Sequence, residues 1–192
     1  LILALAIFLG IALPLLPIHI LWINTVTAAI LGLTLAVEIK ELNLMQRPPR
    51  RPDAPLLERP LVIRMLLVAA MIVIGAFGLY ELELARGATI ERARTVAVNV
   101  VVIVELFYLF NSRSLTHSMF QIGVLTNRFV VIGALAMIVI QLLFTYAPIM
   151  NRIFSTAAIQ PSDWALILGV GVASYLAIEI EKAWRRGRLT RA

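Results

Sequence analysis

The stretch Thr95-Val96-Ala97-Val98-Asn99-Val100-Val101-Val102-Ile103-Val104-Glu105-Leu106-Phe107-Tyr108-Leu109-Phe110 decides the fold. It is apolar on every side of a helix, and it carries one carboxyl, Glu105, with apolar neighbours before and after. A helix of a small soluble domain keeps one polar face for water, whereas one that is apolar all round belongs in a large core or a bilayer. The rest of the chain points to the bilayer. Of its 192 residues 61% are apolar and 15% charged, and the mean hydropathy is +0.94. A soluble domain is about half apolar and about a quarter charged. So much apolar surface cannot all be buried in one small core.

A membrane-crossing helix needs about 20 mainly apolar residues. Six segments meet or approach that length, at 1–13, 18–37, 61–82, 95–110, 129–147 and 164–180. The expectation is an all-α membrane protein, a single domain built as a six-transmembrane-helix bundle. Pro14 and Pro17 break the chain between the first two segments and make them a tight hairpin. Residues 38–60 form a Pro/Arg-rich loop containing Arg47-Pro48-Pro49-Arg50-Arg51-Pro52, which cannot continue a helix.

The basic residues alternate between the two ends of these segments. Lys40, Arg47, Arg50, Arg51 and Arg59 lie in the 38–60 loop. Arg113 and Arg128 flank the fourth connection, and Lys182, Arg185, Arg186, Arg188 and Arg191 crowd the tail. At the other end Arg86, Arg92 and Arg94 are mixed with Glu81, Glu83 and Glu91. Positive residues mark cytoplasmic loops. The expected orientation therefore has both ends of the chain in the cytoplasm. Trp164 and Trp184, twenty residues apart, bracket the last segment like interfacial anchors. The net charge of +6 follows from this flanking pattern and carries no nucleic-acid-binding motif. With no cysteine, disulfides and cysteine-ligated metals are excluded. The chain opens on Leu1-Ile2-Leu3, without an initiator Met or a signal-peptide pattern, and reads as a cut inside a longer protein.

Polar groups at membrane depth are the functional candidates. An ionisable side chain at the bilayer centre costs roughly 2.5–3.5 kcal/mol on insertion scales and is retained for a reason. Glu105 is the clearest, and a cation, a proton or a neighbouring donor would each satisfy it. Asn24 and Thr27 are three apart and share a helix face, offering an amide and a hydroxyl oxygen suited to Na⁺, K⁺ or Ca²⁺. Interhelical hydrogen bonding is an equal use for that pair. Asn99, Tyr108, Asn111 and Gln141 read as packing groups between helices, and His19 as interfacial. No phosphate-cradling glycine loop and no nucleophile–base set is present, so catalysis by this stretch alone is not expected.

These residues also carry a resemblance. Pro17-Ile18-His19-Ile20-Leu21-Trp22-Ile23-Asn24-Thr25-Val26-Thr27 resembles the sixth membrane helix of P-type cation-transporting ATPases. Leu44-Met45-Gln46-Arg47-Pro48-Pro49-Arg50 resembles the loop after it, and Val104-Glu105-Leu106 with Asn111-Ser112-Arg113-Ser114 resembles the eighth helix and its exit. The likeness covers essentially the whole chain, as helices five (in part) to ten of bacterial calcium- or sodium–potassium-type pumps. It implies that Asn24, Thr27 and Glu105 are ligands of a transported cation, which could be Ca²⁺, Na⁺, K⁺ or H⁺. It also implies a parent protein in the bacterial plasma membrane whose missing N-terminal part binds ATP and Mg²⁺; this chain itself holds no cofactor. The calcium-pump pattern has an Asp after the Thr, often followed by Gly, where this chain has Ala28 and Ala29. That departure removes a central carboxylate and makes the family's local helix break less assured. The alternative is a free-standing six-span channel, secondary transporter or membrane assembly subunit.

The two readings separate in the coding region. The pump reading predicts an Asp-Lys-Thr-Gly-Thr phosphorylation motif encoded upstream of Leu1, detectable by sequencing; an initiator Met at or just before Leu1 would favour the alternative.

Overall fold

The computed structural model describes residues 2–37, 59–113, 123 and 127–189. The greater part of the Pro/Arg-rich loop expected over 38–60, including its Arg47–Arg51 run, lies outside the described residues, as does most of the connection between 113 and 127. Seven helices are described: α1 (Ile2–Leu9), α2 (Pro17–Ala36), α3 (Arg59–Ala85), α4 (Ile90–Ser112), α5 (Arg128–Tyr146), α6 (Pro148–Phe154) and α7 (Pro161–Leu189). No strand occurs among the described residues. Five of the helices, α2, α3, α4, α5 and α7, are long and apolar enough to cross a membrane.

Local sequence sets where the helices start and stop. Pro17, Pro148 and Pro161 open α2, α6 and α7, where the missing N–H is not needed. Thr89 caps α4 by accepting from the Arg92 N–H at 3.3 Å, and Glu91 lies in the first turn, favourable to the helix dipole. Asn127 caps α5 through the Phe129 N–H at 2.9 Å. Gly10 and Gly87 take positive φ of 66° and 79° just past α1 and α3. There the Ile11 N–H reaches the Ala6 carbonyl and the Ala88 N–H reaches that of Glu83, closing each helix end.

Helix α4 is the axis of the bundle. It packs against α3 and α7 on one side and α2 and α5 on the other, and α3 also packs on α7. Its buried residues run almost continuously from Ala93 to Val104, then Leu106, Leu109 and Asn111. The other long helices show apolar side chains outward: Leu21 and Leu33 on α2, Ile63 and Ile74 on α3, Ile132 and Val139 on α5, Ile180 on α7. Inside lie Arg64, Glu83, Asn99, Gln141, Asp163 and Lys182, all buried. An apolar exterior around a polar-studded interior reverses the pattern expected in water. It suits a hydrocarbon surround, in which polar groups must find partners within the protein.

Both ends of the bundle are tied by charge. At the end bearing the α3–α4 turn, Arg92 forks onto Asp163 at 3.0–3.3 Å and also contacts Glu83 at 3.3 Å, while Arg86 holds Glu83 at 3.1 Å. Arg94 Nε donates to the Leu13 carbonyl at 3.1 Å, fastening the α1–α2 hairpin to α4. At the opposite end Arg64 of α3 pairs with Glu181 of α7 at 2.8 Å. Lys182 Nζ donates to the Asn111 carbonyl at 2.9 Å, its side-chain oxygen at 3.1 Å and Glu179 at 3.2 Å. Arg86, Arg92 and Arg94 are thus each held by a carboxylate or a carbonyl.

Close helix contact explains one glycine and not another. A Cβ on Gly75 would come 2.5 Å from Val170 Cγ1 and 3.2 Å from Val100 Cγ1, whereas one on Gly78 meets nothing within 4 Å. Gly75→Ala is expected to destabilise the protein by about 1–3 kcal/mol through overpacking, and Gly78→Ala not to destabilise it. Thermal unfolding of the detergent-solubilised protein compares the two.

Candidate functional site

Glu105 projects from the C-terminal half of α4 towards α2 and is only partly covered. Its Oε2 is buried and has no hydrogen-bond partner. The Thr27 hydroxyl of α2 lies beside the carboxyl as a hydrogen-bonding neighbour. That hydroxyl has one proton and also lies 2.7 Å from the Ile23 carbonyl, so it can give the proton either to the carbonyl or to the carboxyl. Oε2 is left unpartnered in both cases, and a buried carboxylate oxygen in an apolar bundle calls for a proton or a cation.

Asn24 is placed differently. It shares α2 with Thr27 but is exposed, and its side chain makes no hydrogen bond among the described residues. The structure thus brings Thr27 and Glu105 together and leaves Asn24 on the uncovered face of α2. Ala28 and Ala29 lie on that open side as well. The helix passes through them unbroken from Pro17 to Ala36, so no carbonyls are freed there as ligands. Among the described residues no cluster of three or more His, Cys, Asp or Glu could hold a metal ion. Of the three candidates, Glu105 and Thr27 are the two that the fold brings together.

A second polar layer lies about one and a half turns away. Trp22 Nε1 of α2 donates to Gln141 Oε1 of α5 at 3.3 Å, and Gln141 Nε2 donates to Asn99 Oδ1 of α4 at 3.0 Å. Asn99 Nδ2 donates to the Thr95 carbonyl at 2.9 Å and to Thr145 Oγ1 at 3.1 Å. Thr145 donates to the Gln141 carbonyl at 2.8 Å, and the Ala157 N–H reaches Thr95 Oγ1 at 3.0 Å. The Trp22 indole also stacks on Phe144 with centroids 5.0 Å apart and meets Phe154 edge-on at 5.1 Å. Sequence reading took Asn99 and Gln141 for packing groups, and they do bond across helices. It did not find that they meet each other and Trp22, because the partners are 42 and 119 residues apart.

His19, read as interfacial from sequence, is fully buried between the α1–α2 connection and α6. Its Nδ1 accepts from the Leu16 N–H at 3.1 Å, and Nε2 faces the Phe154 carbonyl at 2.6 Å. That pair of partners selects the neutral ring with its proton on Nε2. His19 is thereby a joint between helix ends and stands apart from Glu105.

Comparison with known proteins shows what the chain is similar to. The family model described as "Cation transporting ATPase, C-terminus" matches residues 12–184. "Probable cation-transporting ATPase F" of Mycobacterium tuberculosis (strain ATCC 25618 / H37Rv) is 47% identical over 173 residues, which are 90% of this chain and 19% of that protein. "Calcium-transporting ATPase" of Bacillus subtilis is 31% identical over 169 residues, 86% of this chain and 18% of that protein. "Calcium-transporting ATPase type 2C member 2" of Mus musculus is 30% identical over 174 residues, 90% of this chain and 18% of that protein. The chain spans about a fifth of the length of these relatives.

The arginine fork beside the α3–α4 turn gives a direct test of packing. Arg92→Met leaves Glu83 with Arg86 alone and strips Asp163 of its cation, and removing one partner of a buried ion pair costs about 3–5 kcal/mol. Asn24→Ala, on the open face, is expected to change stability by less than about 0.5 kcal/mol. Melting temperatures in detergent read both.

Proposed function

The chain belongs to the P-type cation-transporting ATPases, as their C-terminal membrane region, and from that premise we propose that it forms part of the path by which an ATP-driven pump moves a cation. The observation that carries the reading is the buried, unpartnered Oε2 of Glu105 beside the Thr27 hydroxyl. Glu105 supplies the charge and Thr27 a neutral oxygen. Asn24, on the open face of α2, would add its amide oxygen where segments outside this chain approach. ATP and Mg²⁺ would be bound by the cytoplasmic part of the parent protein, whose phosphorylation cycle would open the site to alternate sides. This chain contributes the cation path and no catalytic group.

The cargo follows from the donor set. Ca²⁺ takes roughly 6–8 oxygen ligands, commonly including several carboxylates. Here Glu105 is the sole carboxylate at the site, and Ala28 and Ala29 occupy the positions after Thr27. The set fits a monovalent cation, or a single site with proton countertransport, better than several divalent ions. The names of the relatives include both cation- and calcium-transporting ATPases, so the choice rests on ligand chemistry. The distribution of Lys and Arg supports an orientation with both ends of the chain in the cytoplasm.

Glu105→Gln in the full-length protein keeps the shape of the side chain and removes its charge. The expected result is loss of cation-stimulated ATPase activity and transport, or a rise of at least about tenfold in the half-saturating cation concentration, equivalent to ~1.4 kcal/mol. Measuring ATPase activity against Na⁺, K⁺ and Ca²⁺ also identifies the cargo. Unchanged stimulation and transport would overturn the role of Glu105.

A further inference from the structure

The layer of Trp22, Gln141 and Asn99 stands in a fixed relation to Thr27 and Glu105. Trp22 precedes Thr27 by five residues on α2, and Asn99 precedes Glu105 by six on α4. At about 1.5 Å per residue, the two layers are separated by about 7.5–9 Å on both helices, which run in the same direction. A shift of α2 against α4 in one layer therefore appears in the other. In the layer of Trp22 and Asn99 the two helices are joined through one side chain of a third helix, with Gln141 accepting from Trp22 and donating to Asn99.

The direction of this chain of bonds is determined by its ends. The Trp22 indole N–H can only donate, so it selects the Gln141 oxygen. The Gln141 amide N–H groups then face Asn99 Oδ1, and the Asn99 amide faces the Thr95 carbonyl, which can only accept. Thr145 takes the second Asn99 proton and passes its own to the Gln141 carbonyl. Asn99 and Gln141 are both buried. Beyond Gln141 lies a largely apolar cleft lined by Ile103, Phe107, Leu142, Trp164 and Leu168. The Trp22–Gln141–Asn99 connection thus runs in one direction, and loss of Gln141 leaves the indole without its acceptor and Asn99 Oδ1 with the longer bond from Thr145 Oγ1 at 3.3 Å.

We propose that Gln141 is a positioning residue for the cation site: its amide, held between Trp22 and Asn99, keeps α2 and α4 in register so that the Thr27 oxygen and the Glu105 carboxyl stay at the spacing a cation needs. This inference rests on the cation role proposed for Glu105. Gln141 bonds to Trp22 and Asn99 and, among the described residues, not to Glu105 or Thr27, so it acts on affinity through the two helices it joins. A residue that merely adds stability would change the amount of folded protein and leave the affinity of the folded fraction alone.

The test uses the full-length pump. Gln141→Met conserves length and apolar volume and removes both hydrogen bonds, while Trp22→Phe removes the indole donor and keeps an aromatic ring. Gln141→Met is expected to raise the half-saturating cation concentration about tenfold, ~1.4 kcal/mol. Its maximal ATPase rate should stay within about twofold of the unmodified protein, the pattern of lost ground-state binding. Trp22→Phe should shift half-saturation in the same direction. The double variant should go no further than Gln141→Met alone, because both break one connection. Unchanged half-saturation in Gln141→Met or Trp22→Phe, or additive effects in the double variant, overturns the inference. If Gln141→Met does not fold, Trp22→Phe alone decides. Glu105→Gln is run alongside. Cation dependence lost there but unaltered in Gln141→Met sinks the positioning role alone, and dependence unaltered in Glu105→Gln sinks the site and this inference with it.

Discussion

Helix α4 has helices on both sides, and every polar group it carries must be answered by one of them. In a bilayer no water arrives to correct an omission, and an unmet polar group costs several kcal/mol. That constraint orders the molecule. Asn99 is answered by Gln141 and Thr145 of α5, the carbonyl and side chain of Asn111 by Lys182 of α7, and Thr95 by the backbone before α7. Each answer fixes a neighbour's height and rotation about α4. Individually such bonds are modest, averaging about 0.6 kcal/mol between membrane helices and reaching about 1.7. Their effect on the fold is to choose one register among many that would pack equally well.

Glu105 is the exception on this axis. Its Oε2 is buried and has no hydrogen-bond partner, with the Thr27 hydroxyl as the neighbouring polar group. A bundle that satisfies Asn99, Asn111 and Thr95 so fully could have answered one more carboxyl with a lysine or arginine, as it does for Glu181 and Glu179. The carboxyl is instead placed beside the Thr27 hydroxyl with one oxygen unmet, which suits the cation role proposed for it: a site that must be empty at one stage and filled at another.

Much of this was readable in the chain. The apolar runs, the prolines at helix starts and the mixture of Arg with Glu around the α3–α4 turn follow from local chemistry, because hydrophobic length and backbone breaks do not depend on distant partners. Glu105 stood out for the same reason: a single carboxyl in an apolar run is conspicuous wherever the run goes. The likeness around Asn24, Thr27 and Glu105 extended the reading to a cation pump. Asn24 and Thr27, alike by spacing, proved to differ in setting, since residues three apart on a helix diverge by about 60° and only one of them turns to α4. Nor could spacing show that Trp22 meets Gln141, or that His19 is enclosed by a carbonyl of α6.

The sequence by itself determined that the chain is helical, that it crosses a membrane and which carboxyl is out of place there. These are properties of short stretches, set by hydrocarbon thickness and by the cost of charge within it. The tertiary structure alone decided which helix stands at the centre, which of Asn24 and Thr27 faces Glu105, and which amide ties α2 to α4. Those depend on the rotation and register of whole helices, and these are fixed by the sum of many weak contacts between residues far apart in the chain.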